Sequence, residues 1–258
     1  MKEFLIYFFG QGTEAEYANF TLAHFLPVVL AVCAIFLLRR CRDRIRGWKH
    51  EEVIRYILAF ALIITDMSYY WRLAVIPSLG GNVVENLPIG VCCWTVIFCS
   101  FMVVGKTQTL FDIVYFWLFS GSLFALITPT VLTYTGPTRY RYYQFWLEHT
   151  LGYVAVFYMI FVHNMRPTVK SAVKSYIALV IMAVFAYFVN NMIGPGANYL
   201  YMAKPEATPS VLDILPPNFA LRITIMALVI TAMYALAYLP WYLMDRKAKK
   251  AAEAGCNT

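Results

Sequence analysis

Few residues in this chain could do chemistry, and two stand out. Cys92 lies in "NLPIGVCCWTVIFC" (86–99), and His149 lies in "YQFWLEHTLGYV" (143–154). A thiol becomes a nucleophile when a neighbouring base draws off its proton. An imidazole can take that proton and later return it. The pair suits acyl transfer: the sulfur attacks an ester, a thioester forms, and a second molecule resolves it. Each residue alone has a plainer reading. A cysteine in an apolar helix commonly packs as a small hydrophobe, and a lone buried histidine is commonly a hydrogen-bonded structural residue. Cys93 and Cys99 share the stretch with Cys92, but adjacent residues on a helix point about 100° apart. No CxxC spacing exists, so a zinc site is not expected.

The elements that must position these groups are membrane helices. The chain has 258 residues, 61% hydrophobic and 14% charged, against about a quarter charged in soluble domains. A bilayer-spanning helix needs about 20 mostly apolar residues. Seven such runs occur, at roughly 20–38, 53–76, 87–104, 110–131, 144–165, 172–193 and 219–243. The expected fold class is therefore all-α, a polytopic membrane protein of seven transmembrane helices within 19–243. Residues 1–18 read as an interfacial amino-terminal segment with aromatic anchors, and 244–258 as a cytoplasmic basic tail. The first run ends in "LLRRCRDRIR" with no small-residue cleavage site, which argues for an uncleaved helix.

Net charge is +7, and its distribution sets the topology. Basic residues cluster after the first run (Arg39, Arg40, Arg42, Arg44, Arg46, Lys49), after the fifth (Arg166, Lys170, Lys174) and after the seventh (Arg246, Lys247, Lys249, Lys250). The positive-inside rule then puts the amino terminus outside and the carboxyl terminus in the cytoplasm. These clusters suit anionic inner-leaflet lipid, and no nucleic acid is expected. No cysteine falls in an outer loop, so no structural disulfide is expected. The long outer connection, 194–218, is rich in proline, glycine and aromatics and is expected to act as a lid.

Ionisable groups inside a bilayer usually face the bundle interior. At 1.5 Å per residue, Cys92 and His149 each lie about 8 Å below the outer boundary of their runs. His24 on the first run and Arg72 on the second sit at a similar level, with Asp66 deeper. Glu148 should point elsewhere, toward an arginine. His24, Asp66 or Tyr153 could orient the imidazole. In "DMSYYWR" (66–72), Asp66 and Tyr70 stand four apart with Arg72 nearby, which suits either an internal charge pair or a lipid-headgroup site, because arginine grips phosphate bidentately. Asn190 and Asn191 suit helix–helix hydrogen bonding or lining of the site.

The sequence blocks resemble a known family. "LPIGVC" is similar to the "LPLHLC" signature of YwaF-like bacterial integral membrane proteins. "GSLFALITP" (121–129), "YQFWLEHTLGYV" (143–154) and "GANYLYMAKPEATPSVLDILPP" (196–217) resemble their later conserved blocks, in order along most of the chain. The resemblance implies kinship with eukaryotic transmembrane acyltransferases acting on lysophospholipids through a cysteine and a histidine. More distantly, it implies kinship with androgen-induced and ADTRP-type intramembrane hydrolases of fatty acid esters. Carried over, the family's cysteine falls on Cys92 and its histidine on His149, whereas the histidine of "LPLHLC" is Gly90 here. A bacterial cytoplasmic (inner) membrane location is implied by the same resemblance.

The expected function is membrane-embedded acyl transfer, or acyl-ester hydrolysis, on lipids. Cys92 and His149 would be catalytic. His24, Asp66, Tyr70, Arg72, Asn190, Asn191, Asn198, Tyr199 and Lys204 would line the substrate site, with Asn190, Asn191, Asn198 and Tyr199 as oxyanion donors. Membrane lipids are the expected partners, and no metal or nucleotide cofactor is implied. The alternative is a non-catalytic lipid or small-solute binding protein or transporter, in which Cys92 only packs. Its mark would be a polar route to the cytoplasmic side, hinted at by His163 and Asn164.

Overall fold

A computed structural model describes residues 2–202 and 214–255, and every described element is helical or irregular. A short helix, α1 (Lys2–Phe9), precedes the long helices α2 (Leu22–Arg46) and α3 (Glu51–Val75). Then come α4 (Val91–Gly105), α5 (Gln108–Trp117) and α6 (Leu123–Ile127), the last two joined by a π-helical turn at Leu118–Ser122. The chain ends in α7 (Tyr140–His163), α8 (Val169–Ile193) and α9 (Phe219–Gly255). Six segments are long and apolar enough to cross a membrane: α2, α3, the continuous 20-residue stretch α5–α6, α7, α8 and α9. At 15 residues, α4 is apolar but shorter than that length.

The expected boundaries shift where proline intervenes. The third run was expected to be helical from 87, but α4 begins at Val91. Leu87 precedes Pro88, which disfavours helical geometry there, and Gly90 is extended at φ −91°, ψ 147°. The fourth run was expected to continue to 131, but α6 stops at Ile127 because Thr128 precedes Pro129 and leaves the helical region. At the other end, α9 continues as helix through Gly255, well into the basic tail.

Helix α7 is the centre of the bundle. It packs against α2, α3 and α4, while α4 also packs on α3 and α5, and α5 on α8. Phe111 and Phe116 of α5, Met102 and Val103 of α4, Leu62 of α3, and Ala155, Val156 and Met159 of α7 form a core closed to the exterior. The outer helices are reversed in character. Leu30 and Phe36 of α2, Ile181 and Phe185 of α8, and Leu228 and Leu236 of α9 are large, apolar and exposed. Such belts around a packed core are what a lipid solvent selects.

Helix ends are closed by arginines, of which Arg55 and Arg72 are buried and Arg46 is exposed. Arg55 donates to the last carbonyls of α4, Val103 O (3.0 Å) and Val104 O (2.7 Å). Arg46 donates to Val162 O (2.9 Å), Phe161 O and Asn164 Oδ1 (2.6 Å) at the end of α7. Arg72 does the same for α1, through Phe9 O (2.5 Å) and Gly10 O (2.9 Å). A cation at a helix carboxyl end meets both its orphan carbonyls and its dipole. The start of α8 is closed instead by a capping box between Thr168 and Ser171.

Candidate active site

The site forms where the start of α4, the π-helical turn and the first half of α7 converge. Two glycines permit the approach. A Cβ on Gly121 would stand 3.0 Å from Val91 Cγ1, and one on Gly152 would stand 2.9 Å from Leu118 Cδ2. The wide turn leaves the Leu118 carbonyl available to a side chain, and Tyr153 donates to it at 2.7 Å. Tyr153 thus braces the turn rather than orienting an imidazole.

Cys92 is the second residue of α4, in its first turn, rather than one to two turns into a helix begun at 87. It is partly exposed, whereas Cys93 and Cys99 are buried. Gly90 supplies no side-chain cap to α4, so the first-turn N–H groups form the positive end of the helix dipole. Negative charge developing on or beside the Cys92 sulfur lies at that end. Ser122, buried within the π-helical turn, donates to Cys92 Sγ at 3.7 Å.

His149 is the hydrogen-bonding neighbour of Cys92 on α7. Its other nitrogen, Nδ1, lies 2.9 Å from Phe145 O, one turn back on the same helix. A carbonyl only accepts, so that bond requires the proton on Nδ1, and in the neutral imidazole Nε2 then carries the free lone pair. The tautomer that can accept the Cys92 proton is therefore fixed by the backbone. The Phe145 ring covers the imidazole at 4.2 Å between centroids. Neither Asp66, His24 nor Tyr153 performs that orientation.

A second polar cluster abuts the pair and differs from it. Cys93 donates to Asp66 Oδ2 at 3.4 Å, and Tyr70 donates to Cys93 Sγ at 3.8 Å. Glu148 turns away from His149 toward Arg141 (3.5 Å) and accepts from Gln144 Nε2 at 2.8 Å, which also donates to Thr65 O. Asp66 and Tyr70 are thus held with Cys93, beside the candidate site rather than in contact with Cys92.

The remaining expected site residues have other partners. Arg72 grips the carbonyl end of α1, so neither a phosphate clamp nor an Asp66–Arg72 pair is its arrangement. His24 accepts from Phe20 N at 3.2 Å, bonds the Leu126 backbone, and stacks among Phe20, Tyr17 and Trp146. Asn190 clasps the Tyr199 backbone from both sides, 2.8 Å to N and 3.1 Å to O. Tyr199 in turn donates to Val83 O and accepts from Leu87 N, each at 2.8 Å. These two residues fix the segment leading into α4, so they are not oxyanion donors. Asn191 donates to Tyr187 O within α8. Asn198 caps the short turn Tyr199–Tyr201 through its carbonyl. Lys204 and the middle of the expected lid, 203–213, lie outside the described residues.

The cytoplasmic hint of a polar route is accounted for as well. His163 bonds Glu51 Oε1 at 2.9 Å and Asn164 accepts from Arg46, so both close helix ends. A surface crevice of about 400 Å³ does exist, between α1 and Arg139, but neither Cys92 nor His149 lines it. Among the described residues, no group of three or more metal-ligating side chains occurs.

Sequence reading missed Ser122, the π-helical turn and the Phe145 carbonyl. The first two had a signal: "SGS" (120–122) places three small residues in the middle of an otherwise bulky apolar run. Small residues there mark close helix approach, and single π-helical turns recur at functional sites. The carbonyl had none, because every helical residue carries one.

Fold and site together define an all-helical, multi-pass membrane protein with a thiol–imidazole pair among its helices. The model of the TMEM164 family matches residues 19–238, and the chain belongs to that family. An uncharacterized protein of Treponema pallidum (strain Nichols) is 27% identical over 157 residues, which span 61% of this chain and 63% of the relative. No solved structure matches the chain.

Proposed function

We propose that the protein is a membrane-embedded acyltransferase, or acyl-ester hydrolase, that works on lipids through a thioester on Cys92. One observation supports the reading: the Nδ1–H bond of His149 to Phe145 O makes Nε2 the nitrogen that carries the lone pair when the ring is neutral, with Cys92 as the hydrogen-bonding neighbour. In the first step the thiol proton passes to His149 Nε2 and the sulfur attacks the acyl carbon. The ester C–O bond then breaks, and the leaving alcohol takes the proton from His149. In the second step His149 removes a proton from the acceptor hydroxyl, of a lysophospholipid or water; the acceptor oxygen bonds to the acyl carbon, the C–S bond breaks, and the proton returns from His149 to the Cys92 sulfur. First-turn N–H groups of α4 suit the oxyanion, taking the role first expected of Asn190, Asn191, Asn198 and Tyr199.

The same reading includes seven crossings, with α4 completed by the extended residues 87–90. It sets the end bearing α1, Cys92 and His149 on the outer side of a bacterial inner membrane, and it takes the chain as YwaF-like. The basic loops at the opposite end support that orientation.

The test is acyl transfer between phospholipid and lysophospholipid in lipid nanodiscs. Cys92→Ser should abolish turnover while retaining helical content, because serine matches cysteine in size but its hydroxyl is far less acidic. Full turnover by Cys92→Ser would reject the reading.

A further inference from the structure

The π-helical turn acts on more than packing. Such a turn adds a residue to the helix and rotates the next helical segment about the axis, and here it delivers Ser122 to the nucleophile. Ser122 Oγ stands 3.7 Å from Cys92 Sγ, a length suited to a sulfur acceptor, and its side chain is buried. The turn is held in this register from two sides. Gly121 lets it close on Val91, the residue before Cys92, and Tyr153 bonds the Leu118 carbonyl at its start. Three other small hydroxyls of the bundle behave differently. Ser120 bonds Phe116 O, Thr95 bonds Val91 O and Ser100 bonds Ile97 O, each satisfying its own helix. A buried serine could do the same with a carbonyl one turn back, whereas Ser122 donates to sulfur.

We propose that Ser122 is a catalytic residue, the hydroxyl that stabilises the Cys92 thiolate for attack. The inference rests on the acyl-transfer reading and deepens it. In the resting pair Ser122 O–H points to sulfur and the thiol proton points to His149 Nε2. When that proton moves to His149, the Ser122 bond gains a charged acceptor and strengthens. Once the S–C bond forms, the thioester sulfur is a poor acceptor. The Ser122 hydroxyl is then free to turn to the oxygen of the tetrahedral intermediate or of the incoming acceptor. No proton is lost from Ser122, so it acts by donation and not as a second nucleophile.

Peptide-resolved alkylation of Cys92 by N-ethylmaleimide across pH, in nanodiscs, tests this. Ser122→Ala should move the midpoint of Cys92 labelling upward by about one pH unit, the scale of one hydrogen bond to a charged acceptor. Ser122→Thr, which keeps the hydroxyl, should return the midpoint toward the wild-type value. A purely structural role would alter the extent of labelling or the melting temperature without moving the midpoint. If Ser122→Ala does not fold, Ser122→Cys keeps the volume with a much weaker donor and should give the same upward shift. An unmoved midpoint in a folded variant that still labels in a His149-dependent way would overturn the role of Ser122 and leave the acyl-transfer reading standing. Wild-type labelling of Cys92 that is indifferent to His149→Ala would overturn both.

Discussion

Helix α7 carries two histidines, and their surroundings differ. His163, at one end, faces a carboxylate: Glu51 accepts from His163, Tyr158 and Arg55 at once. Every partner there is fixed by another, and the cluster closes the ends of α4 and α7. His149, near the other end, faces a thiol and owes its orientation to a backbone carbonyl. A carboxylate partner holds an imidazole in place, whereas a thiol partner gives it a proton to take. The same contrast separates Cys92 from its neighbour. Cys93 donates a hydrogen bond to Asp66 within a buried cluster, and Cys92 neighbours His149 at a partly exposed position.

The largest expected effect lies in that contrast. His149→Ala should lower acyl transfer by about 10²–10⁴-fold, the usual worth of a general base, while His163→Ala should stay within a few-fold of wild type. Equal losses in a turnover assay would erase the distinction between the two ends.

Next in size is stability at the carboxylate end. Glu51→Ala leaves the buried Arg55 guanidinium without its ion-pair partner, and such a loss costs about 3 kcal/mol or more. Thermal unfolding in detergent should show a clear drop for this variant. A smaller drop for Glu51→Ala than for His149→Ala would contradict the structural role assigned to the cluster.

How much of the molecule was legible in the sequence depends on whether a residue's type or its partner decides its role. Cys92 and His149 were paired from matched depth on two runs, and the structure makes them neighbours. Helix positions came from apolar length; helices start late or stop early at Pro88 and Pro129, where local backbone preference overrode it, and α2 and α9 run on past their apolar stretches to Arg46 and Gly255. Arg72, Asn190 and Tyr199 were read as site residues because their chemistry allowed it. They instead hold carbonyls and amides whose places only the folded backbone reveals. Polar side chains in a membrane protein must satisfy loop backbone as well as substrate, and sequence does not say which.

The smallest effect sharpens the comparison from the α1 side. Residues 2–18 are tied down by Arg139, which pairs with Glu16 at 2.7 Å and bonds Tyr7 O at 2.9 Å. The Arg139 hydrogen bond holds the Glu16 carboxyl below its usual value, against a smaller opposing effect of burial. A carboxyl depressed in the folded state stabilises it fully above the unfolded value, and that stabilisation is lost as pH falls through the folded value. Hydrogen exchange of α1 amides, corrected for intrinsic rates, should therefore speed up modestly as pH falls below the ordinary carboxylate range, and Glu16→Gln should remove the dependence. An unchanged pH profile in Glu16→Gln would assign the latch to other groups.

The most direct test of the Cys92–His149 account is peptide-resolved mass spectrometry of the protein after brief exposure to phospholipid. The account predicts an acyl group on Cys92, released by neutral hydroxylamine and absent from Cys93, Cys99 and the His149→Ala variant. A hydroxylamine-sensitive acyl group on Cys93, or active protein with no acyl group on Cys92 under conditions that trap the intermediate, would contradict it.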